Sequence, residues 1–342
     1  MGETQHLVTI NNQRIGYLDY LRVWAMLMII ILHSPMPNMQ ASGILLSSVS
    51  FISATGLVLF FMVSGALLLS KTYQMKPFLL RRFSKIAWPT LFWSIFYLFD
   101  KWVQGAISTD YLIRSVLSIP FSHQGNGILW FMYTLMGLYL ITPILSSWLN
   151  TASKKDVEWI LTLWTISLLI PVLGNFINVW QINNTHMLFY LSGFIGYYIL
   201  GYYLHHHVKS IRISILALLI FFPLVIAATL KLSGANVDFY KHLWYLSIPM
   251  AMMAAFWFLF AKKYFSSSVS SVIAIISKYS FGIYLVHIFV MHRMVWNWDF
   301  VSQHGSALQI IMTTILTFII SFAIIYLISY LPFSKYIIGV RK

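Results

Sequence analysis

Long apolar runs, separated by short polar or basic stretches, recur along the whole chain. A helix needs about 20 mainly apolar residues to cross the hydrocarbon core of a bilayer. In lipid, helices satisfy every backbone polar group internally. The pattern predicts ten such spans, over residues 15–35, 50–70, 86–103, 128–149, 158–178, 187–204, 213–231, 243–261, 273–293 and 307–331. The expected fold is therefore all-α, a polytopic membrane helix bundle of about ten transmembrane helices. Residues 1–13 form an expected cytoplasmic N-terminal tail, 14–331 the transmembrane domain and 332–342 a cytoplasmic C-terminal tail. The first thirteen residues are polar and show no cleavable signal pattern, so the first span is expected to act as its own anchor. No internal repeat is evident, which counts against inverted-repeat transporters.

The apolar pattern is broken most tellingly in the first span. It carries Asp19 and Arg22 near its start and His33 at its end, before Pro35 and Pro37. Asp19 and Arg22 are three positions apart and so share a helix face. Arg22 and His33, eleven positions apart, return to within about 20° of each other, with a rise of about 16 Å. Ionisable groups at membrane depth are costly and face a polar interior rather than lipid. An interfacial ion pair and a plain helix-end histidine would account for each residue singly. The shared stripe favours a site.

Composition supports the membrane reading. The 342 residues are 59% hydrophobic and 9% charged, against about 25% charged in soluble domains. The formal charge of +14 would suggest nucleic acid in a soluble protein. Here the basic residues fall between spans, and no nucleic-acid partner is expected. With the N-terminus inside, 17 of the 22 lysines and arginines fall in inner segments. The positive-inside rule accounts for that asymmetry and predicts both termini in the cytoplasm. With no cysteine in the chain, neither a thiolate metal site nor a cysteine thioester intermediate is available.

Three further groups of residues are candidates. The inner loop Lys76-Pro77-Phe78-Leu79-Leu80-Arg81-Arg82-Phe83-Ser84-Lys85 clusters Arg81, Arg82 and Lys85 on one or two helical turns. Such a cluster marks topology and attracts anionic lipid headgroups, and it also suits phosphate groups. The block Leu129-Trp130-Phe131-Met132-Tyr133 opens the fourth span. It reads as an interfacial aromatic belt or as a wall for a sugar ring, built on Trp130 and Tyr133 and faced by His123 from the loop before it. In the ninth span Ser280, Tyr284 and His287 lie at i, i+4 and i+7, one face of a helix. They form either a satisfied packing group or part of a substrate path. The tract His205-His206-His207 lacks further ligands for a metal. The chain has no Walker loop, no dinucleotide fingerprint and no G-x-S-x-G elbow. The His-x4-Asp box of glycerolipid acyltransferases is also missing, since Asn38 follows His33 at that spacing.

The ordered set of these blocks resembles the acyltransferase 3 family of integral-membrane acyltransferases. The N-terminal block is Arg14-x3-Leu18-Asp19-x-Leu21-Arg22-x2-Ala25 with His33 at the span's end. The basic loop Arg81-Arg82-Phe83-Ser84-Lys85 looks like the family's R-x-x-R element, with Lys85 in place of the second arginine. Leu129–Tyr133 with Gly137, Tyr139 and Pro143, and Ser280–His287, resemble its fourth-span and late-span blocks. The chain is most similar to members that O-acetylate cell-surface polysaccharides. The resemblance implies a multi-pass protein of the inner (plasma) membrane. It would take acetyl-CoA as donor and use no metal. Its acceptor would be a cell-surface polysaccharide or a lipid-linked sugar, with membrane lipids around it. It further implies Arg81, Arg82 and Lys85 as the seat of the CoA phosphates and His33 as general base. Arg22 would stabilise an oxyanion or hold a phosphate, and Asp19 would orient Arg22. Trp130, Tyr133, Tyr284, His287 and His123 would bind substrate. A transporter or flippase of a glycan or amphiphile, and a structural subunit of a glycan-assembly complex, are the alternatives.

Overall fold

The structure is a computed structural model that describes residues 14–37, 39, 43–122, 127–177, 187–232, 243–265 and 268–342. All regular structure among the described residues is helical. The long helices are α1 (Gly16–His33), α2 (Gly43–Leu68), α3 (Met75–Val103), α5 (Trp130–Thr151) and α6 (Lys154–Ile177). They continue with α7 (Ile195–His206), α8 (Ile213–Leu232), α9 (Ile248–Tyr264), α10 (Ser271–Arg293) and α12 (Ser306–Ile328). Short helices α4 (Thr109–Ser118), α11 (Asp299–Ser302) and α13 (Ser334–Ile338) lie between or after them.

Each predicted span overlaps one of these helices. Five stretches among the described residues are long and apolar enough to cross a membrane: Gly16–His33, Leu45–Leu68, Trp130–Thr151, Ser271–Asn297 and Ser306–Ile328. The expected span at 187–204 is shorter as a helix than its sequence suggests. Only Ile195–His206 is α-helical, after a 3₁₀ turn at Phe189–Leu191. At 1.5 Å per residue that helix is about 18 Å long, less than a hydrocarbon core.

Helices α3 and α12 carry apolar residues on their exposed faces, and α12 buries polar ones. On α3, Trp88, Phe92, Ile95 and Phe99 are exposed. On α12, Leu308, Ile311, Ile315 and Ile319 face outward, while Gln309, Thr313, Thr317 and Ser321 are buried. That is the reverse of a soluble amphipathic helix and the arrangement expected when lipid is the outer solvent.

Close backbone approach sets the centre. Helix α2 packs most extensively on α1 and α7. Gly56 and Gly65 of α2 are the close-packing points, as small residues are in membrane helices. A Cβ at Gly56 would lie 2.5 Å from the Ala25 carbonyl oxygen, and one at Gly65 would lie 1.8 Å from that of Tyr198. Helix α7 answers with Gly201, where a Cβ would come within 2.0 Å of the Met62 carbonyl oxygen. The short α7 is capped by Lys262 of α9, whose ammonium donates to the carbonyls of Leu204 (2.9 Å) and Val208 (2.8 Å). A cation suits the negative end of a helix dipole.

Contacts also fix relative directions. Along α1 and α10, Asp19 pairs with Ser277 and His33 with His287, so the two helices run parallel. Helix α3 follows them, since Tyr97 donates to the Leu285 carbonyl and Asp100 pairs with Arg293. Helix α12 runs the other way. Its Ile325 sits on Gly282, and Thr314, nearer its start, bonds Ser34 at the far end of α1. The 332–342 segment folds back on the bundle through α13, whose Ile337 carbonyl accepts from Trp93 Nε1 at 3.0 Å.

Gly65→Ala is expected to lower the thermal midpoint of the purified protein by several degrees, because backbone on both sides must move, a strain of about 1–3 kcal/mol or more. Gly137→Ala, where a Cβ meets nothing within 4 Å, serves as the control and should leave the midpoint unchanged or raise it. Thermal unfolding followed by size-exclusion chromatography reads both.

Candidate active site

The polar residues of α1 gather into two centres, one at each end of the helix. At the first end the Asp19 side chain is buried. Its carboxylate accepts from Arg14 Nε and from Ser277 Oγ of α10, and Arg22 lies 3.6 Å away. Arg14 also donates to the Ala274 carbonyl at 2.7 Å. Asp19 thus does more than orient Arg22. It ties the start of α1 to α10. Sequence reasoning stopped the α10 polar stripe at Ser280, but Ser277 extends it by three positions on the same face.

Arg22 meets a second cation. The guanidinium groups of Arg22 and Arg82 interact electrostatically with each other and with the Tyr139 hydroxyl of α5. Arg82 has no carboxylate within salt-bridge distance among the described residues. The Tyr73 hydroxyl, between α2 and α3, is buried beside this group with no hydrogen-bond partner. Burial pushes the Tyr73 phenol up, and the Arg82 charge opposes that shift. Tyr73 packs on Phe78 and Phe78 on Tyr139, with ring centroids 4.5 and 6.2 Å apart. The basic loop is therefore split. Arg82 is half-buried and turned to Arg22, whereas Arg81 and Lys85 are exposed. Helical geometry accounts for this, since Arg81 and Lys85 each lie 60–100° around the helix from Arg82. Neither Tyr73 nor Tyr139 was singled out as a site residue by spacing, because their neighbours come from three different helices.

At the other end, His33 and His287 come together with ring centroids 5.6 Å apart. His287 is fully buried. Its Nδ1 bonds the Tyr284 carbonyl. A carbonyl only accepts, so Nδ1 carries the proton and Nε2 is left as a lone-pair nitrogen. That Nε2 is buried and unpartnered. Ser34, next to His33, bonds Thr314 of α12 at 2.7 Å and holds the end of α1 in place. His292 is close enough to both imidazoles to interact with them electrostatically.

The remaining candidates are placed less directly. Tyr284 is buried edge-on to Phe131, at 5.5 Å, and beside His287. Trp130 packs between Phe194 and Tyr245 at 5.3 and 5.4 Å. Tyr133 donates to the Ile119 carbonyl at 2.7 Å, which joins α5 to the end of α4. His123 lies outside the described residues. The histidine tract at 205–207 ends α7, where His205 Nδ1 bonds the Tyr17 hydroxyl. No group of three potential ligands is placed to hold a metal among the described residues.

Residues 15–331 match the family model described as an acyltransferase domain, of the acyltransferase 3 type, and the chain belongs to that family. It is a membrane acyltransferase. No curated protein and no solved structure matches it.

Asp19→Asn should destabilise the protein more than Ser277→Ala. The second removes one charge-assisted hydrogen bond, worth about 1.5–3 kcal/mol; the first leaves Arg14 and Arg22 without their anion. Thermal midpoints in lipid nanodiscs check this, and a wild-type midpoint for Asp19→Asn would show the carboxylate to be dispensable.

Proposed function

We propose that the protein is an O-acetyltransferase of the inner (plasma) membrane that moves an acetyl group from acetyl-CoA to a hydroxyl of a cell-surface glycan or lipid-linked sugar. One observation carries the reading: a cationic centre and an imidazole pair stand at opposite ends of the same helix. Arg22 and His33 are separated by a rise of about 16 Å, comparable to an extended pantetheine arm. Arg22 shares the Asp19 carboxylate with Arg14, and Arg82 has none within salt-bridge distance among the described residues, so two guanidinium groups in electrostatic range of each other favour an anion between them. The CoA phosphates would fill that role. Arg82 and Arg22 form the inner part of the seat, and Arg81 and Lys85 its exposed rim.

The thioester would then reach the histidines. His33 takes the proton of the acceptor hydroxyl as its oxygen attacks the thioester carbonyl. The C–S bond breaks, the CoA thiolate leaves and is protonated, and an acetyl ester forms on the sugar. His287, with its proton fixed on Nδ1, presents a lone pair beside His33. The parallel course of α1, α3 and α10, with α12 opposed, fits an even number of crossings, and the excess of basic residues in the inner segments favours both termini in the cytoplasm. The cationic centre would then face the cytoplasmic supply of acetyl-CoA.

His33→Gln should reduce acetyl transfer by about 10²–10⁴-fold while the protein stays folded, because an amide cannot take a proton at neutral pH. Wild-type turnover from folded His33→Gln would remove His33 as the base. Arg82→Ala should weaken acetyl-CoA binding more than Arg81→Ala or Lys85→Ala, as measured by titration with radiolabelled donor. Equal losses from all three would point to a diffuse surface charge. Topology reporters after Lys342 and after Gln104 should report opposite sides of the membrane.

A further inference from the structure

Beyond the histidines the structure has a second feature that nothing above uses. A cavity of about 750 Å³ opens where the end of α1 meets the start of α12, lined by Met36, Pro37, Trp296, Gln303, His304 and Gln309. That size falls in the usual range for a small-molecule site. Gln309 is more than nine-tenths buried. Its Nε2 donates to the carbonyls of Ser302 and His304, both at 2.7 Å, which fixes the amide orientation. Its Oε1 is left buried and unpartnered, and so is Nε1 of Trp296. A buried polar atom without a partner costs about 1–3 kcal/mol, so the site stands ready for a ligand that satisfies both.

We propose that this cavity binds an uncharged sugar residue of the acceptor, with Gln309 Oε1 and Trp296 Nε1 as its two hydrogen-bonding anchors. One anchor only accepts and the other only donates. A hydroxyl group does both, and a ring bearing several hydroxyls can meet the two at once. The named lining carries no lysine, arginine or carboxylate, which disfavours an anionic group. Indole, proline and methionine surfaces suit the apolar C–H faces of a sugar.

The cavity also leads to the right place. Met36 and Pro37 follow His33 by three and four residues. Trp296 stacks on His292, with centroids 4.1 Å apart, and His292 interacts with His33 and His287. Below Gln309 on α12, one and two turns down, the hydroxyls of Thr313 and Thr317 are buried and unpartnered. Other buried helix hydroxyls in this protein, such as Thr90, Thr142 and Thr314, bond back to the carbonyl four residues earlier; these two do not. Thr313 neighbours Thr314, the partner of Ser34, and so stands at the level of His33. A sugar seated in the cavity would extend a hydroxyl along this row toward the imidazoles.

This inference rests on the proposed glycan acceptor, and the test keeps the two apart. Saturation-transfer NMR titrations in nanodiscs would use methyl glycosides of glucose, galactose, rhamnose and N-acetylglucosamine as probes. Acetyl-CoA turnover would be measured on the same samples. Wild type should bind at least one glycoside. Gln309→Leu and Trp296→Phe should each weaken that binding about tenfold, the loss of one buried hydrogen bond. Trp296→Phe keeps a ring in place and guards against a folding defect in Gln309→Leu. The exposed Trp159 gives Trp159→Phe as a control that should bind like wild type. Absence of binding by wild type, or undiminished binding by both folded variants, would overturn the site. Glycoside binding without turnover of acetyl-CoA would instead leave the sugar site standing and overturn the acetyl-transfer reading.

Discussion

A buried carboxylate is the constraint on which the rest of this bundle depends. Taking the Asp19 charge out of water costs several kcal/mol unless positive and hydrogen-bonding groups surround it. Arg14, Arg22 and the Ser277 hydroxyl supply that surround. Two of the three come from α1 and its entry, and the third from α10, far along the chain. The start of α1 cannot slide or turn against α10 without exposing the charge to an apolar neighbour. With that end pinned and the two helices parallel, the register at the other end follows: His33 arrives beside His287. The imidazole pair is thus placed by an ion-pair network a helix-length away.

The shell around this axis is built to keep it in register. In lipid there is no hydrophobic force between helices, so association relies on close packing and internal polar contacts. Glycines at 56, 65 and 201 let α1, α2 and α7 approach backbone to backbone. Side chains then have few rotamers to choose from, and the polar groups inside must find each other or stay unpaired. Most do find each other. Among the described residues six of the nine exceptions lie on α10, on α12 and in the turn between them: His287 Nε2, Trp296 Nε1, Gln309 Oε1 and the hydroxyls of Thr313, Thr317 and Ser321; Tyr73, His207 and Trp257 hold the other three. Unpaired atoms scattered through a core would suggest poor packing, whereas a continuous row beside a histidine pair suggests a path.

Much of this was legible in the sequence wherever the signal was local. Apolar runs located the main helices, five of them long and apolar enough to cross a membrane among the described residues, and the stripe of Asp19, Arg22 and His33 placed the polar face of α1. The pairing of His33 with His287 was not legible, because helical spacing says which face a residue occupies and not which helix faces it. The basic loop shows the opposite error. Charge alone grouped Arg81, Arg82 and Lys85, but only Arg82 turns inward. Lys85 departs from the expected arginine at a position that faces solvent, so the substitution has less bearing on the inner cationic centre than it had on paper. The polar row on α12 was invisible for a further reason. Threonine and serine are common in membrane helices and normally satisfy themselves on the preceding turn, so only the structure tells which hydroxyls fail to do so.

The imidazole pair also limits how the proposed chemistry can run. Two imidazolium charges at 5.6 Å repel by about 3 kcal/mol at an effective dielectric of 20. The pair therefore holds one added proton far more readily than two. In the proposed reaction a proton that His33 takes from the acceptor would have to leave before the next turnover, and among the described residues no carboxylate pairs with either ring to store it. The departing CoA thiolate is the natural recipient, because it forms in the same step and needs a proton to leave as a thiol. Acceptor and donor must then be present together at the histidines, the sugar from one end of α1 and the thioester from the other. That requirement gives the length of the helix its meaning. In the proposed reaction the cationic centre would hold the donor by its phosphates at one side, and the chemistry would take place a pantetheine length away, where the acceptor can reach it.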